Sequence, residues 1–298
     1  MGQLSPPPEG QRSMFSYQTL TKRTCFLIGI LLFLLCTGRS QAGPSAPMVV
    51  HFLDVGYGDA ILLRLPEGAA MLIDGGGPEN GSKVATALRQ TRIRQLDFIV
   101  ITHFHNDHAG GLNSIFKEFV SSETRIFIPL LPGLVEPDVE AVIAEIKHHP
   151  YRIVRRGETI TISPSIRLEV LHPKDLTGNA NEDSLVIRVI HEEVTLLMAG
   201  DVGIMTQKEL AEEYGAHLKT DLIKIPHHAG EVVEAFVKAV DAQDAILTIG
   251  PNPYGSPNPE TMEMYRKAGA MIHRTDVNRT ITVISNGRSY KIEKEYSP

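Results

Sequence analysis

From about residue 48 onward the chain alternates between two hydrophobic rhythms. Short β-branched apolar runs predict strands at Val49–Val55, Ile61–Leu65, Ala70–Ile73 and Phe98–Thr102, bounded by glycine or polar turn residues. The same reading gives strands at Ile126–Ile128, Ile166–Leu171, Leu185–Ile190, Thr195–Met198, Leu222–Ile225, Ile246–Ile249 and Ile281–Ile284. Apolar residues three and four apart predict helices over Ser82–Thr91, Leu112–Val120 and Val139–His148, and near Val232–Val240 and Pro259–Lys267. No repeat or linker divides this pattern. Strands with interspersed helices and no break predict one α/β domain over residues 43–298, its two sheets flanked by helices.

The N-terminal segment has a different character. A polar stretch ends at Lys22 and Arg23, and Cys25 to Cys36 is then an apolar run of twelve. A bilayer-spanning helix needs about 20 such residues. The basic flank, the short apolar core and the small residues Ser40 and Ala42 match a secretory signal peptide over residues 1–42, cleaved after Ala42. Met14 would give a leader of more ordinary length than Met1. The protein is therefore expected to be exported, periplasmic or extracellular, with no stable membrane insertion after cleavage. The alternative is an anchor formed by residues 25–36. Both cysteines lie in this segment, so the mature chain would hold no disulfide, thiol nucleophile or cysteine metal ligand.

Composition narrows the partners. With 42% hydrophobic and 21% charged residues the chain is ordinary globular protein. Its 29 Lys and Arg against 35 Asp and Glu give a net charge of −6, which argues against a broad basic face gripping duplex DNA. Nucleic acid stays open as a substrate met at a local positive centre such as a metal. Nothing in the sequence specifies an oligomer.

The chemistry concentrates just after the strand ending at Thr102. There His103-Phe104-His105-Asn106-Asp107-His108 is followed by Ala109-Gly110-Gly111. His103 and His105 alternate along extended chain and so point to one side. Asp107 and His108 follow where the chain turns and address a second point. Four ligands in six residues suit two metal ions about 3.5–4 Å apart.

This H-x-H-x-D-H pattern resembles the metallo-β-lactamase superfamily. The likeness extends to the C-terminal domain of ComEC-type DNA-uptake proteins. Leu53 to Ala60 (LDVGYGDA), Leu72 to Gly76 (LIDGG), Asn181 to Val186 (NEDSLV), Ala199-Gly200-Asp201, Ile225 to His228 (IPHH) and Asn252 to Pro257 (NPYGSP) are similar to that group's motifs, in order. The resemblance implies a four-layer αββα sandwich with the site at one edge of the sheets. It also implies two divalent metal ions, Zn or Mn: one held by His103 and His105, the other by Asp107, His108 and one of His227 and His228, with His228 the favoured ligand and Asp201 bridging them. With His228 as ligand, His227 would be a supporting or substrate-facing group. Asp74 is either an orienter of the ligand loop or an ordinary turn residue before Gly75-Gly76. His172 is a weak candidate. His51, His191, His217 and His273 read as structural or surface residues.

Three departures from that pattern stand out. The superfamily's third histidine of the first metal is missing near Asn179–Ser184, Tyr57 replaces the usual Gln, and Ser256 replaces the His of YGHP. The chemistry implied is hydrolysis by a hydroxide bound to the two metals, with Asp107 orienting it and His227 protonating the leaving group. The resemblance favours a phosphodiester substrate, DNA first. The alternatives are an envelope or small-molecule phosphodiester such as a phosphocholine ester, a β-lactam, and a non-catalytic exported binding module.

Overall fold

A computed structural model describes Gly2, residues 46–133 and residues 135–295. Apart from Gly2, the predicted signal segment lies outside the described residues. Fifteen strands are described: β1 (Met48–Phe52), β2 (Ile61–Arg64), β3 (Ala70–Ile73), β4 (Phe98–Val100), β5 (Arg125–Ile128), β6 (Tyr151–Ile153), β7 (Thr159–Thr161), β8 (Ile166–His172), β9 (Val186–His191), β10 (Val194–Met198), β11 (Leu222–Lys224), β12 (Asp244–Leu247), β13 (Met271–Arg274), β14 (Ile281–Ser285) and β15 (Tyr290–Lys294). They form an eight-stranded sheet in the order β15-β14-β1-β2-β3-β4-β5-β6 and a seven-stranded sheet in the order β13-β12-β11-β10-β9-β8-β7.

Side chains that alternate along the strands divide the apolar residues into three cores. The inward faces of both sheets meet in one, with Val50, Ile61, Met71 and Phe98 from the first sheet and Leu168, Val189, Leu196 and Leu222 from the second. Outward-facing Leu62, Leu72 and Ile99 pack under helices α1 (Gly81–Gln90), α2 (Leu112–Phe119) and α3 (Pro137–Ile146). On the other side Leu197, Ile223 and Ala245 pack under α4 (Ile204–Tyr214), α5 (Glu234–Val240) and α6 (Pro259–Lys267). The apolar stripe of α2, Leu112, Ile115, Phe116 and Phe119, is fully buried, and a large apolar side chain contributes about 1.5–3 kcal/mol when buried. The result is the four-layer αββα sandwich.

The differences from the predicted elements have local causes. β1 stops at Phe52 because residues 53–60 close into a loop, Leu53 N–H donating to the Ala60 carbonyl. β12 lies two residues earlier than predicted, since Thr248 bonds to His228 and Asp59 and the Ile249 N–H donates to the Thr275 hydroxyl rather than to a neighbouring strand. α4 was not anticipated because its buried face includes Thr206 and Gln207 with Leu210. The edge strands β6 and β15 were missed for want of contrast: β6 is exposed throughout and β15 is only half-buried. A helix long and apolar enough to cross a membrane is absent among the described residues.

Strands β3 to β6 run parallel, as do β10 to β13. Segments leaving the carboxyl ends of β3, β4, β10, β11 and β12 carry Asp74, His103 to His108, Asp201, His227-His228 and Thr248 respectively. Ligands in open α/β sheets bind at such strand ends.

Candidate metal centre

Four donors converge where these segments meet. His108 Nε2 lies 3.1 Å from Asp201 Oδ2, 3.8 Å from Asp107 Oδ2 and 3.3 Å from His228 Nε2. His228 Nε2 is 3.4 Å from both Asp107 Oδ2 and Asp201 Oδ2. Donors around a tetrahedral ion with bonds of 2.0–2.1 Å stand about 3.3–3.4 Å apart, so these spacings fit one divalent cation. Beside them His103 Nε2 and His105 Nδ1 approach to 3.1 Å, the paired presentation expected of alternating residues.

The backbone holds these groups in unusual conformations. Residues 106–110 make one π-helical turn, with His105 extended just before it. His227, His228 and Ala229 are all left-handed, with φ of 49°, 50° and 58°, a geometry that costs about 1–2 kcal/mol per L-residue. Such strain concentrates at functional sites. It turns His228 inward to full burial and leaves His227 on the cavity wall. Close packing supports the motif loop: a Cβ on Gly58 would stand 2.2 Å from the Asp107 carbonyl oxygen, and one on Gly111 2.1 Å from that of Gly75.

Each imidazole is locked from behind. His108 Nδ1 donates to Asp74 Oδ2 at 2.8 Å, and His228 Nδ1 donates to the Thr248 carbonyl at 2.8 Å. Both Nε2 atoms therefore face the centre, the arrangement that orients metal-bound histidines. Asp74 is itself held by the Thr102 N–H and hydroxyl at 2.8 and 2.6 Å. The Thr102 oxygen, having given its proton to Asp74, accepts from His103 Nδ1 at 3.2 Å, which directs His103 Nε2 outward too. Asp74 thus links Thr102 to the back of the His108 ring.

Lys224 and Asp59 were not singled out from the sequence. Lys224 is fully buried, with Nζ 2.6 Å from Asp59 Oδ2, 3.3 Å from Asp201 Oδ1 and 3.1 Å from the Gly200 carbonyl. A lysine closing a strand, with an aspartate in a quoted motif far away in sequence, carried no signal of this pairing. The pairing also bears on how Asp201 is presented. Oδ1 of Asp201 is engaged by the ammonium, so Oδ2 is the oxygen that faces the metal donors.

The electrostatics favour a cation here. Burial opposes ionisation of Asp201, yet His108, His228 and Lys224 hold its carboxyl well below the carboxylate range. Burial likewise opposes ionisation of Asp107, and His108 with His228 overcome it. Against burial, Asp201 raises His228 to about 9, and Asp201 and Asp107 raise His108 well above its ordinary value. Burial, reinforced by His108, keeps His103 neutral, its pKa well below the ordinary value. The carboxylates hold protons on the two facing imidazoles, and a divalent ion can take the place of those protons. His172 lies apart from the donor cluster, its Nε2 donating to the Glu182 carbonyl at 2.8 Å. His51, His191 and His273 are bonded to Thr282, Ser285 and Asp244, and His217 is exposed.

Two cavities of about 610 Å³ each meet at His105. One is lined by His103, Phe104, Leu130, Val135 and Ala180. The other contains Asp107, Asp201, His227, Asn181, Tyr57 and Tyr254. Asn181 stands in the segment where the third histidine is missing, its Nδ2 3.4 Å from His227 Nε2.

Residues 53–124 match the sequence profile described as the metallo-beta-lactamase superfamily. The structure aligns over 80% of this chain, and all of the other, with the metallo-beta-lactamase fold protein YhfI from Bacillus subtilis, at a TM-score of 0.52 and 14% identity. This is the metallo-β-lactamase fold. CmlA, a diiron beta-hydroxylase from Streptomyces venezuelae, shares the fold with a TM-score of 0.51 and 16% identity, over 80% of this chain and 54% of its own. Among curated proteins, this metallo-β-lactamase-fold chain is 25% identical to ComE operon protein 3 of Bacillus subtilis (strain 168) over 91% of its length and 36% of the relative's. It is 23% identical to Competence protein ComA of Neisseria gonorrhoeae, over 80% of this chain and 33% of that one. The chain spans about a third of the length of these relatives.

Proposed function

We propose that the protein is an exported, metal-dependent phosphodiesterase whose substrates include nucleic acid. The observation that carries this reading is the convergence of Asp107, His108, Asp201 and His228, with His103 and His105 alongside, at the wall of an open cavity. His103 and His105 would hold one ion and Asp107, His108, Asp201 and His228 the other. When bound, divalent ions such as Zn²⁺ or Mn²⁺ supply activated water and neutralise charge on a phosphoryl oxygen. Oxygen and nitrogen ligands without thiolate suit either ion.

The chain's own residues do the rest. Asp107, on the cavity side of the centre, orients the attacking water. His227 faces the same cavity beside Asn181, where it can pass a proton to a leaving oxygen. The likeness to competence proteins supports nucleic acid as the substrate, and the N-terminal segment supports export. Breaking of an envelope phosphodiester is the second reading, favoured by cavities that carry carboxylates and, among their described lining residues, no lysine or arginine.

The test uses the full chain, purified without chelator. It is incubated with single-stranded DNA, double-stranded DNA and bis-p-nitrophenyl phosphate, with and without added Mn²⁺ or Zn²⁺. Metal-dependent cleavage of DNA, abolished in Asp107→Asn with the fold intact, is expected. Cleavage of the small diester alone moves the substrate to a smaller molecule. No hydrolysis with either metal overturns the phosphodiesterase reading.

A further inference from the structure

The wall of the second cavity is aromatic in a way that the metal chemistry does not require. The Tyr57 ring packs on His228 with centroids 4.4 Å apart and on Tyr254 with centroids 5.1 Å apart. Tyr254 is 72% exposed, although a tyrosine ring offers considerable apolar surface to bury. It is not a loosely hung side chain. Asn252 braces its loop, donating from Nδ2 to the carbonyls of Gly250 and Ser256 and accepting at Oδ1 from the N–H groups of Tyr254 and Ser256. A ring kept exposed by an ordered loop, at the mouth of a cavity that holds Asp107, Asp201 and His227, offers a ready contact surface.

Two of the sequence departures meet at this place. Tyr57 and Ser256 line the same cavity, so the tyrosine that replaces Gln and the serine that replaces His stand in one wall. The same cavities have no lysine or arginine among their described lining residues, while Glu136, Asp183, Glu182 and Glu231 do contribute. A run of backbone phosphates would find no counter-charge along these walls. Recognition must come from something other than the polyanion.

We propose that Tyr254 and Tyr57 form a stacking platform for a planar ring of the nucleobase type, attached to the single phosphodiester presented to the metal centre. The proposal rests on the phosphodiesterase reading and sharpens it: the substrate is a nucleotide ester or the end of a single strand, not duplex. Stacking of one base on an aromatic side chain is lost on alanine substitution with an effect of about tenfold, within a wide range.

The test compares thymidine 5′-(p-nitrophenyl phosphate), methyl p-nitrophenyl phosphate and p-nitrophenyl phosphorylcholine on the metal-loaded full chain. The thymidine ester is expected to have the highest kcat/KM. Its advantage over the methyl ester should fall about tenfold in Tyr254→Ala, through KM, and return in Tyr254→Phe. Calorimetry of thymidine 5′-monophosphate against methyl phosphate should show the same ring dependence in binding alone. KM for a short single-stranded oligonucleotide should change little with salt. An advantage unchanged by Tyr254→Ala, a preference for the choline ester, or a steep salt dependence overturns the platform. Failure of all three esters to react overturns the phosphodiesterase reading instead, and the calorimetry then still decides whether the rings bind a base.

Discussion

Lys224 Nζ sits 3.3 Å from Asp201 Oδ1 inside the protein, with Asp59 closing the other side of the ammonium at 2.6 Å. One of two oxygens on the central carboxylate is thereby committed to a lysine, and Oδ2 is left for the metal donors. Asp201 would present Oδ2 to a metal held by His108 and His228. Removing one partner of a buried ion pair costs about 3–5 kcal/mol, because the other charge is left uncompensated. Lys224→Met is therefore expected to lower stability by about that amount and to reduce bound metal. Lys224→Met with Asp59→Leu should recover part of the stability without the metal. Denaturant unfolding and metal analysis read the two effects separately. A single variant as stable as the parent sinks the argument.

Asp74 acts on the centre through His108. Asp74→Asn keeps the shape but weakens the bond to His108 Nδ1 and unsettles the Thr102 contacts that reach His103. Loss of such a supporting partner lowers metal affinity about 10- to 100-fold. Competition with a chelating dye measures it, and unchanged affinity would show that Asp74 is only a turn residue.

Gly58 holds the motif loop by having no side chain. Its φ of +124° and the 2.2 Å separation from the Asp107 carbonyl leave no room for a methyl group. Gly58→Ala should therefore displace residues 105–108, lowering both thermal midpoint and metal content. Gly68→Ala provides the comparison: its φ is +92°, yet nothing lies within 4 Å of the added Cβ. That variant should lose stability from backbone strain but keep its metal.

His172 makes stability depend on pH away from the metal centre. Burial lowers its pKa below the ordinary histidine value, only partly offset by the Glu182 carbonyl. The unfolded chain takes up this proton more readily than the folded one. Its contribution to stability is thus complete above about pH 6.5 and falls as the pH drops below that value. His172→Gln can still donate to the Glu182 carbonyl but does not titrate, so its midpoint should fall less between pH 7 and pH 5. Parallel curves for the two proteins would refute the assignment.

The strands of the central sandwich and most of its helices were legible in the sequence, because their side chains obey simple periods against an apolar core. The ligand run His103 to His108 was legible for a similar reason: its spacing is local, and four donors in six residues need no distant partner to be noticed. Asp201, His228 and Asp74 could be proposed only through resemblance to known motifs. Their convergence depends on segments from five strands of two sheets meeting at one edge.

What only the tertiary structure decided is how those groups are held. No period announces that Lys224 faces inward at the end of β11 and engages Asp59, 165 residues earlier in the chain. Nor does the sequence show that Tyr57 and Ser256 line one cavity, or that Asn252 braces the loop presenting Tyr254. The weakly patterned α4, β6 and β15 escaped for the opposite reason: packing and edge pairing, not intrinsic hydrophobic rhythm, give them their form. Local spacing determined which chemistry the chain carries. The folding of distant segments determined which oxygen of Asp201 faces the histidines, which histidine turns inward and which ring stands at the door.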